Sequence, residues 1–197
     1  MRPRPTAFAN AVGAKSTYRE VRSLLRLPLG DDLRPRPVDG YSVRSWVGAA
    51  PSELLDSFAR ARNAINDAPD GLDEEPEIWS AVLVRDLEAA VGRRDRDVRV
   101  TVALDARGEV VAFTELRVSR APGAIAGTED TAVVAEHRRC GLGRWVKLES
   151  LRRLQEDRPD VSLVTTSNAE ENGAMRSLNR ALGFAPVVVY TNCALEI

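Results

Sequence analysis

The segment Glu136-His137-Arg138-Arg139-Cys140-Gly141-Leu142-Gly143-Arg144 joins two glycines and three arginines to the start of an apolar helical repeat. Glycine lets a backbone approach a ligand closely. The first turn of a helix presents N–H groups that have no intrahelical acceptor and carry a partial positive charge. Together they make an anion site, suited above all to phosphate. A Walker loop is excluded because Gly143 is followed by Arg144 and Trp145, and a dinucleotide fingerprint because Val146 stands where its third glycine belongs. A single histidine, His137, and two cysteines, Cys140 and Cys193, supply neither a zinc cage nor a disulfide framework. No metal is expected, His137 and Cys140 read as turn residues, and reduced thiols fit a cytoplasmic protein.

The elements that position this turn follow from periodicity. Tyr41 to Val47 alternates as a strand, and Pro51 opens a helix with Leu54, Leu55, Phe58 and Ile65 on its apolar face. Residues 66 to 77 form a loop dense in Asp, Glu, Pro and Gly, and Ile78, Trp79, Val82, Leu87 and Val91 mark a second helix, with Trp79 in the core. Residues 97–106 and 109–119 predict a hairpin closed at Ala106-Arg107-Gly108. A third strand at Thr131 to Ala135 leads into the glycine turn and a helix from Leu142 bearing Trp145, Leu148, Leu151 and Leu154. Val161 to Thr165 reads as a buried strand, and Asn168 and Glu171 have capping-box spacing before a helix with Met175, Leu178 and Leu182. Gly183 stops that helix, and Pro186 to Ile197 closes the chain as a strand. The predicted fold is α/β (α+β), a mixed, mostly antiparallel sheet flanked by helices.

Length and charge narrow the partners. The 197 residues suit one domain with an appendage, and 28 basic against 29 acidic side chains leave a net charge of −1, which excludes global attraction to nucleic acid. No apolar run approaches the ~18 residues of a membrane span, and Met1 to Ala7 lacks the apolar core of a signal peptide. Residues 1–39 are set apart as an N-terminal extension to a domain over 40–197. Ala11-Val12-Gly13-Ala14 and Ala181-Leu182-Gly183-Phe184 stand 170 positions apart, and thirteen residues later lie Leu27 and Ile197, with Leu25 opposite Leu195. Chance and the tail of a preceding copy of the domain both account for that match.

Arg138-Arg139-Cys140-Gly141-Leu142-Gly143 resembles the Arg/Gln-x-x-Gly-x-Gly/Ala signature of the GCN5-related N-acetyltransferases. Asn168-Ala169-Glu170-Glu171-Asn172, with Met175, Asn179 and Leu182-Gly183-Phe184, resembles the strand-helix segment with which that family ends in a Gly-Phe pair. The resemblance covers residues 40–197 and is to the C-terminal copy of actinobacterial tandem proteins. It implies the acyl-CoA N-acyltransferase fold and makes residues 1–39 the remnant of a first copy plus a linker. The extension could equally lend a strand to a neighbouring molecule, so a homodimer is a further expectation.

The same resemblance implies acetyl-coenzyme A as cofactor. Its pyrophosphate would lie on Arg138, Arg139, Cys140, Gly141, Leu142, Gly143 and Arg144, and its pantetheine arm along Thr131 to Ala135. Asn168 and Asn172 would add cofactor contacts, and an N–H near Val133 or Val134 would polarise the thioester carbonyl. Acetyl transfer needs a neutral amine, and an ammonium of pKa near 10.4 is neutral only to roughly 0.04% at pH 7, so a base is required. Glu115 is the leading candidate and Asp130 the second. Asn179 stands where many relatives carry a tyrosine that protonates the leaving thiolate, which leaves the acid unassigned between Tyr190 and water. The acceptor is expected to be a small-molecule amine entering past Asp70, Asp73, Glu74, Glu75 and Glu77. The alternatives are another acyl donor, a protein N-terminus as acceptor, or a coenzyme A-binding module without turnover.

Overall fold

A computed structural model describes residues 9, 11–68 and 76–194. The order is β1 (Lys15–Arg26), β2 (Ser42–Val47), α1 (Ser52–Arg62), a 3-10 turn (Asn63–Asp67), α2 (Ala81–Gly92), β3 (Arg96–Leu104), β4 (Val110–Ser119) and β5 (Ile125–Val133). A short 3-10 turn (Ala135–His137), α3 (Leu142–Asp157), β6 (Leu163–Ala169), α4 (Gly173–Ala181) and β7 (Ala185–Ala194) follow. Seven strands form one sheet in the order β2-β3-β4-β5-β6-β1-β7. The β5–β6 pair is parallel and every other pair antiparallel, as the mixed, mostly antiparallel expectation requires.

Each face of the sheet is covered by helices whose apolar stripe fits it. Leu54 and Phe58 of α1 and Val84 of α2 meet Val100, Val102, Phe113 and Ala132 on one side. On the other, Leu148, Leu151 and Leu154 of α3 meet Leu116, Val118, Ala126 and Val164, while Leu142, Trp145 and Val146 meet Ala103, Val111 and Ala112. No helix among the described residues is long and apolar enough to cross a membrane.

Several expected boundaries move, each for a local reason. The strand expected from Thr131 begins at Ile125 and ends at Val133, because β5 pairs with β4 from Ala126 onward and Ala135–His137 coils into a 3-10 turn. The strand expected over 161–165 is Leu163–Ala169, since β1 pairs with it as far as Ala169. Asn168 therefore lies in a strand. The cap of α4 is Asn172, whose side chain accepts from the Met175 N–H. Helix α2 starts at Ala81, because Ser80 caps it by accepting from Leu83 N–H, and this leaves Ile78 outside and exposed.

The extension is the larger surprise. Residues 15–26 are an inner strand of the sheet, paired with β6 on one side and β7 on the other, with Val21 and Leu25 buried. Its expected boundary at residue 39 does not divide the hydrogen-bonded sheet.

Lys147 of α3 is buried, with Nζ 3.5 Å from Thr131 Oγ1 and 5.7 Å from the centroid of the Phe184 ring. Burial lowers its pKa to about 7. Between that value and the ordinary ~10.4 of the unfolded chain, the unfolded state holds a proton that the native state lacks, so this residue's penalty is full below pH 7 and fades as pH rises. Lys147→Met is expected to raise unfolding free energy at pH 6 by on the order of 1–3 kcal/mol, with the gain shrinking towards pH 10. Urea unfolding of both proteins at pH 6 and pH 9 checks this, and a gain independent of pH would contradict it.

Candidate functional site

Strands β5 and β6 pair only from Ile125↔Leu163 to Thr128↔Thr166 and then part, leaving Glu129 to Val133 of β5 without β6 beside them. The gap opens towards the head of α3. There Gly141 is the N-cap, in the left-handed region at φ 93°, with no side-chain cap on the helix, and Arg139 has a positive φ of 65°. The first-turn amides of α3 thus have no side chain competing for them. A Cβ built on Gly143 would lie 3.5 Å from Val133 and 3.6 Å from Leu178, so the glycine is where the end of β5, the head of α3 and α4 converge.

Polar groups around the gap are partly committed. The Val134 N–H donates to Val111 O across β4 at 2.9 Å. Successive strand N–H groups point to opposite edges, so the Val133 N–H faces the gap and Val134 does not. Arg138 Nε donates to Val133 O at 2.9 Å, Arg138 also pairs with Asp67, and Arg144 donates to Ala181 O at 3.2 Å. Cys140 and His137 hold the turn itself: Cys140 Sγ lies 2.8 Å from His137 O, and His137 Nδ1 lies 2.9 Å from the Tyr41 hydroxyl. Asn168 and Asn172 brace α4: Asn172 caps it and Asn168 Oδ1 accepts from Asn179 Nδ2 at 2.7 Å. Asn179 Oδ1 remains a buried acceptor with no donor. Tyr190, a candidate acid, lies on β7 with β1 between it and β6, its hydroxyl accepting from Arg22.

On the α1/α2 face a β-bulge sets two residues of β5, Glu129 and Asp130, opposite Glu115 alone. Bulges re-aim side chains in this way. Arg62, at the last turn of α1, reaches both carboxylates, with Nη1 3.0 Å from Glu115 Oε2 and Nη2 2.8 Å from Asp130 Oδ2. The other Glu115 oxygen accepts from Arg117 at 3.2 Å. Arg62 lies 3.8 Å from the centroid of the Trp79 ring, so Trp79, expected as plain core, is its stacking partner. The side chains of Arg62 and Glu115 are each 3% exposed, against 34% for Asp130. Burial raises the Asp130 pKa above the usual aspartate value and Arg62 opposes the rise; burial likewise raises Glu129.

Sequence reasoning missed Arg62 and Lys147. Asp70, Asp73, Glu74 and Glu75 lie outside the described residues, and Glu77 is exposed with its carbonyl accepting from Asn66. Among the described residues no group of His, Cys, Asp and Glu could hold a metal ion. A cavity of about 690 Å³ opens elsewhere, between residues 29–37 and the Trp145, Glu149 and Gln155 side of α3.

Comparison with solved structures returns a tandem GNAT protein from the clavulanic acid biosynthesis pathway at 30% identity and a TM-score of 0.77, with all of this chain covered. The chain has the fold of the GCN5-related N-acetyltransferases. It spans 60% of that tandem protein's length. A GCN5-related N-acetyltransferase from Kribbella flavida (16% identity, 97% of this chain and 63% of that one, TM-score 0.60) shares the fold. So does a possible acetyltransferase from Clostridium difficile 630 (14% identity, 81% and 99%, TM-score 0.56). Neither protein-family models nor curated proteins return a match.

The Arg62 clamp is the site's most sensitive element. Arg62→Ala would leave Glu115 buried with only Arg117 as counter-ion, and is expected to cost on the order of 3 kcal/mol. Denaturant unfolding of the variant measures that loss, and a change under ~1 kcal/mol would show that the clamp adds little.

Proposed function

We propose that the chain is an acetyl-coenzyme A-dependent N-acetyltransferase acting on a primary amine of a small molecule. The observation that carries this is the open β5 edge running into the uncapped, glycine-lined head of α3. An extended amide-bearing arm can pair with a free strand edge, and a pyrophosphate suits helix N-terminal amides. The N–H of Val133 faces that path and supplies a donor to it. Arg139 adds positive charge at the head of α3. Bound acetyl-coenzyme A would supply a thioester whose acetyl carbonyl is the electrophile.

The chain's own groups then divide the work. Val133 N–H stabilises negative charge building on the carbonyl oxygen. Asp130 takes the proton from the attacking amine: it is the more exposed carboxylate, and its raised pKa makes it a stronger base than a free aspartate. Glu115, first in line from sequence, has both oxygens engaged by arginines and is assigned to positioning Arg62. With acetyl-coenzyme A bound, the amine would displace the coenzyme A thiolate from the acetyl carbon, and that thiolate would take its proton from water, since Asn179 has no acidic proton to give.

A second reading, a module that binds coenzyme A without turnover, draws on the same clamp, because Arg62 also holds Asp130. Calorimetric titration of acetyl-coenzyme A into the native chain and into Gly143→Glu separates these from a purely structural turn. A Cβ at 143 makes only ordinary contacts, so the variant is expected to fold while losing cofactor binding. No binding by the folded native chain would remove both readings. With an amine panel and a thiol-release assay, Asp130→Asn is expected to lower kcat by roughly 10²- to 10⁴-fold without weakening acetyl-coenzyme A binding. Binding with no release from any amine would favour the second reading.

A further inference from the structure

The β1–β7 ribbon is built on a local two-fold axis that the sequence repeat numbers. Glu20 faces Tyr190, and these residues are 170 positions apart. Lys15 faces Ala194 and Leu24 faces Ala185, so a shift of 170 turns the first pair into the second. The irregularities obey the same rule. Between Ser16 and Tyr18 the register skips Thr17 of β1, and between Arg22 and Ser23 it skips Val187 of β7, which is 170 positions beyond Thr17.

The segments leading into the two strands also match. Gly13 and Gly183 both have left-handed φ, 77° and 89°. Ala14 N–H donates to Ala9 O at 2.9 Å, and Phe184 N–H donates to Asn179 O at 3.0 Å, the same helix-ending bond 170 positions on. Ala9 and Ala11 are helical, as is Ala181. A chance likeness of a few letters would not reproduce a stop glycine, its hydrogen bond, a strand and the site of a bulge. Residues 9 and 11–26 therefore have the structure of a helix end and closing strand of this same fold.

The axis has a consequence for the outer edge of β7. Strand β6 flanks β1 from Glu20 to Arg26, burying Val21 and Leu25 in the core. The equivalent positions on β7 begin at Tyr190, with Thr191 matching Val21, and there β7 has no second partner strand among the described residues. Val187, Val188, Val189 and Tyr190 are exposed on both faces of this edge, at 39–58%. Such an edge is an aggregation hazard unless it is covered.

We infer that the free edge of β7 from Tyr190 onward docks, antiparallel, the β6-equivalent strand of a second domain of this fold, one whose own closing strand is β1 of this chain. Each domain then donates its last strand into the other's sheet, and the two sheets run together through the β1–β7 ribbon. The inference does not depend on acetyl transfer.

A chimera tests it. Residues 28–178 are placed ahead of Ala9, so that the repeat register continues from Leu178 into Ala9, and amide exchange of Tyr190–Ala194 is compared with that of the native chain. The fused domain acts at high effective concentration. These amides are expected to exchange at least ~10-fold more slowly in the chimera. Thr191→Asp should erase the protection there, while shifting the native chain's melting temperature by no more than about 2 °C. In a second arm that needs no extra domain, an Asn-Gly turn and the sequence Leu163–Ala169 are appended after Ile197, with a Ser-substituted strand as control. The native strand, and not the control, should protect the same amides. Unchanged exchange in both arms would overturn the inference. So would a native chain that already protects this edge by forming a stable dimer at micromolar concentration in light scattering.

Discussion

A parallel pair that parts after four residues would strip hydrogen bonds from two strands at once, and the rest of this fold depends on how that loss is met. Beyond Thr166, β6 has lost β5 but keeps β1, which pairs with it from Leu163 to Ala169. On the other side, β5 keeps β4 through Val133. Each strand thus retains one complete neighbour while the space between them opens. Backbone groups left facing that space need a partner, since an unpaired buried amide costs as much as a lost hydrogen bond. The gap is therefore a site by construction, and β1 is the strand that allows it to exist.

The other side of β5 is held by charge. The bulge places Glu129 and Asp130 against Glu115, three carboxylates close together on strands that would otherwise repel. Arg62 and Arg117 answer them from α1 and β4, and Trp79 closes over the Arg62 guanidinium. Arg62 also ties α1 to both strands that meet at the bulge, so one side chain links the helix-covered face of β5 to the strand that borders the gap. Its Nε has no partner, a remaining cost consistent with a site held for geometry as much as for stability.

How much of this was legible in the sequence varies by the range of the interaction. The glycine turn, the helix stops and the alternating strands are local signals and were readable, as was the sheet class that follows from their order. The parting of β5 and β6 was not, because β5 and β6 are far apart in sequence and their register depends on which strand flanks each. Residues 15–26 illustrate the limit well: the 170-position match gives them the layout of a helix end and strand, and nothing local says that a strand from the start of the chain lies between two from its end. Asn168 failed for the opposite reason. Its capping spacing to Glu171 is a valid local signal, overridden by seven residues of pairing with β1.

Arg62 and Lys147 share one feature, a charge set in phase with an apolar helix stripe. Arg62 is four residues beyond Phe58 on the apolar stripe of α1, and Lys147 is four before Leu151 and seven before Leu154 on that of α3. A charged residue in phase with a buried stripe must either snorkel out, find counter-ions, or give up its charge. Neither side chain snorkels, since both are buried. Arg62 is answered by carboxylates, and the two it finds lie on strands that helical periodicity alone could not locate. Lys147 meets a threonine and an aromatic ring in place of a carboxylate, so burial lowers its pKa instead. The sequence thus shows that each residue poses an electrostatic problem; the identity of the answer depends on the sheet behind the helix.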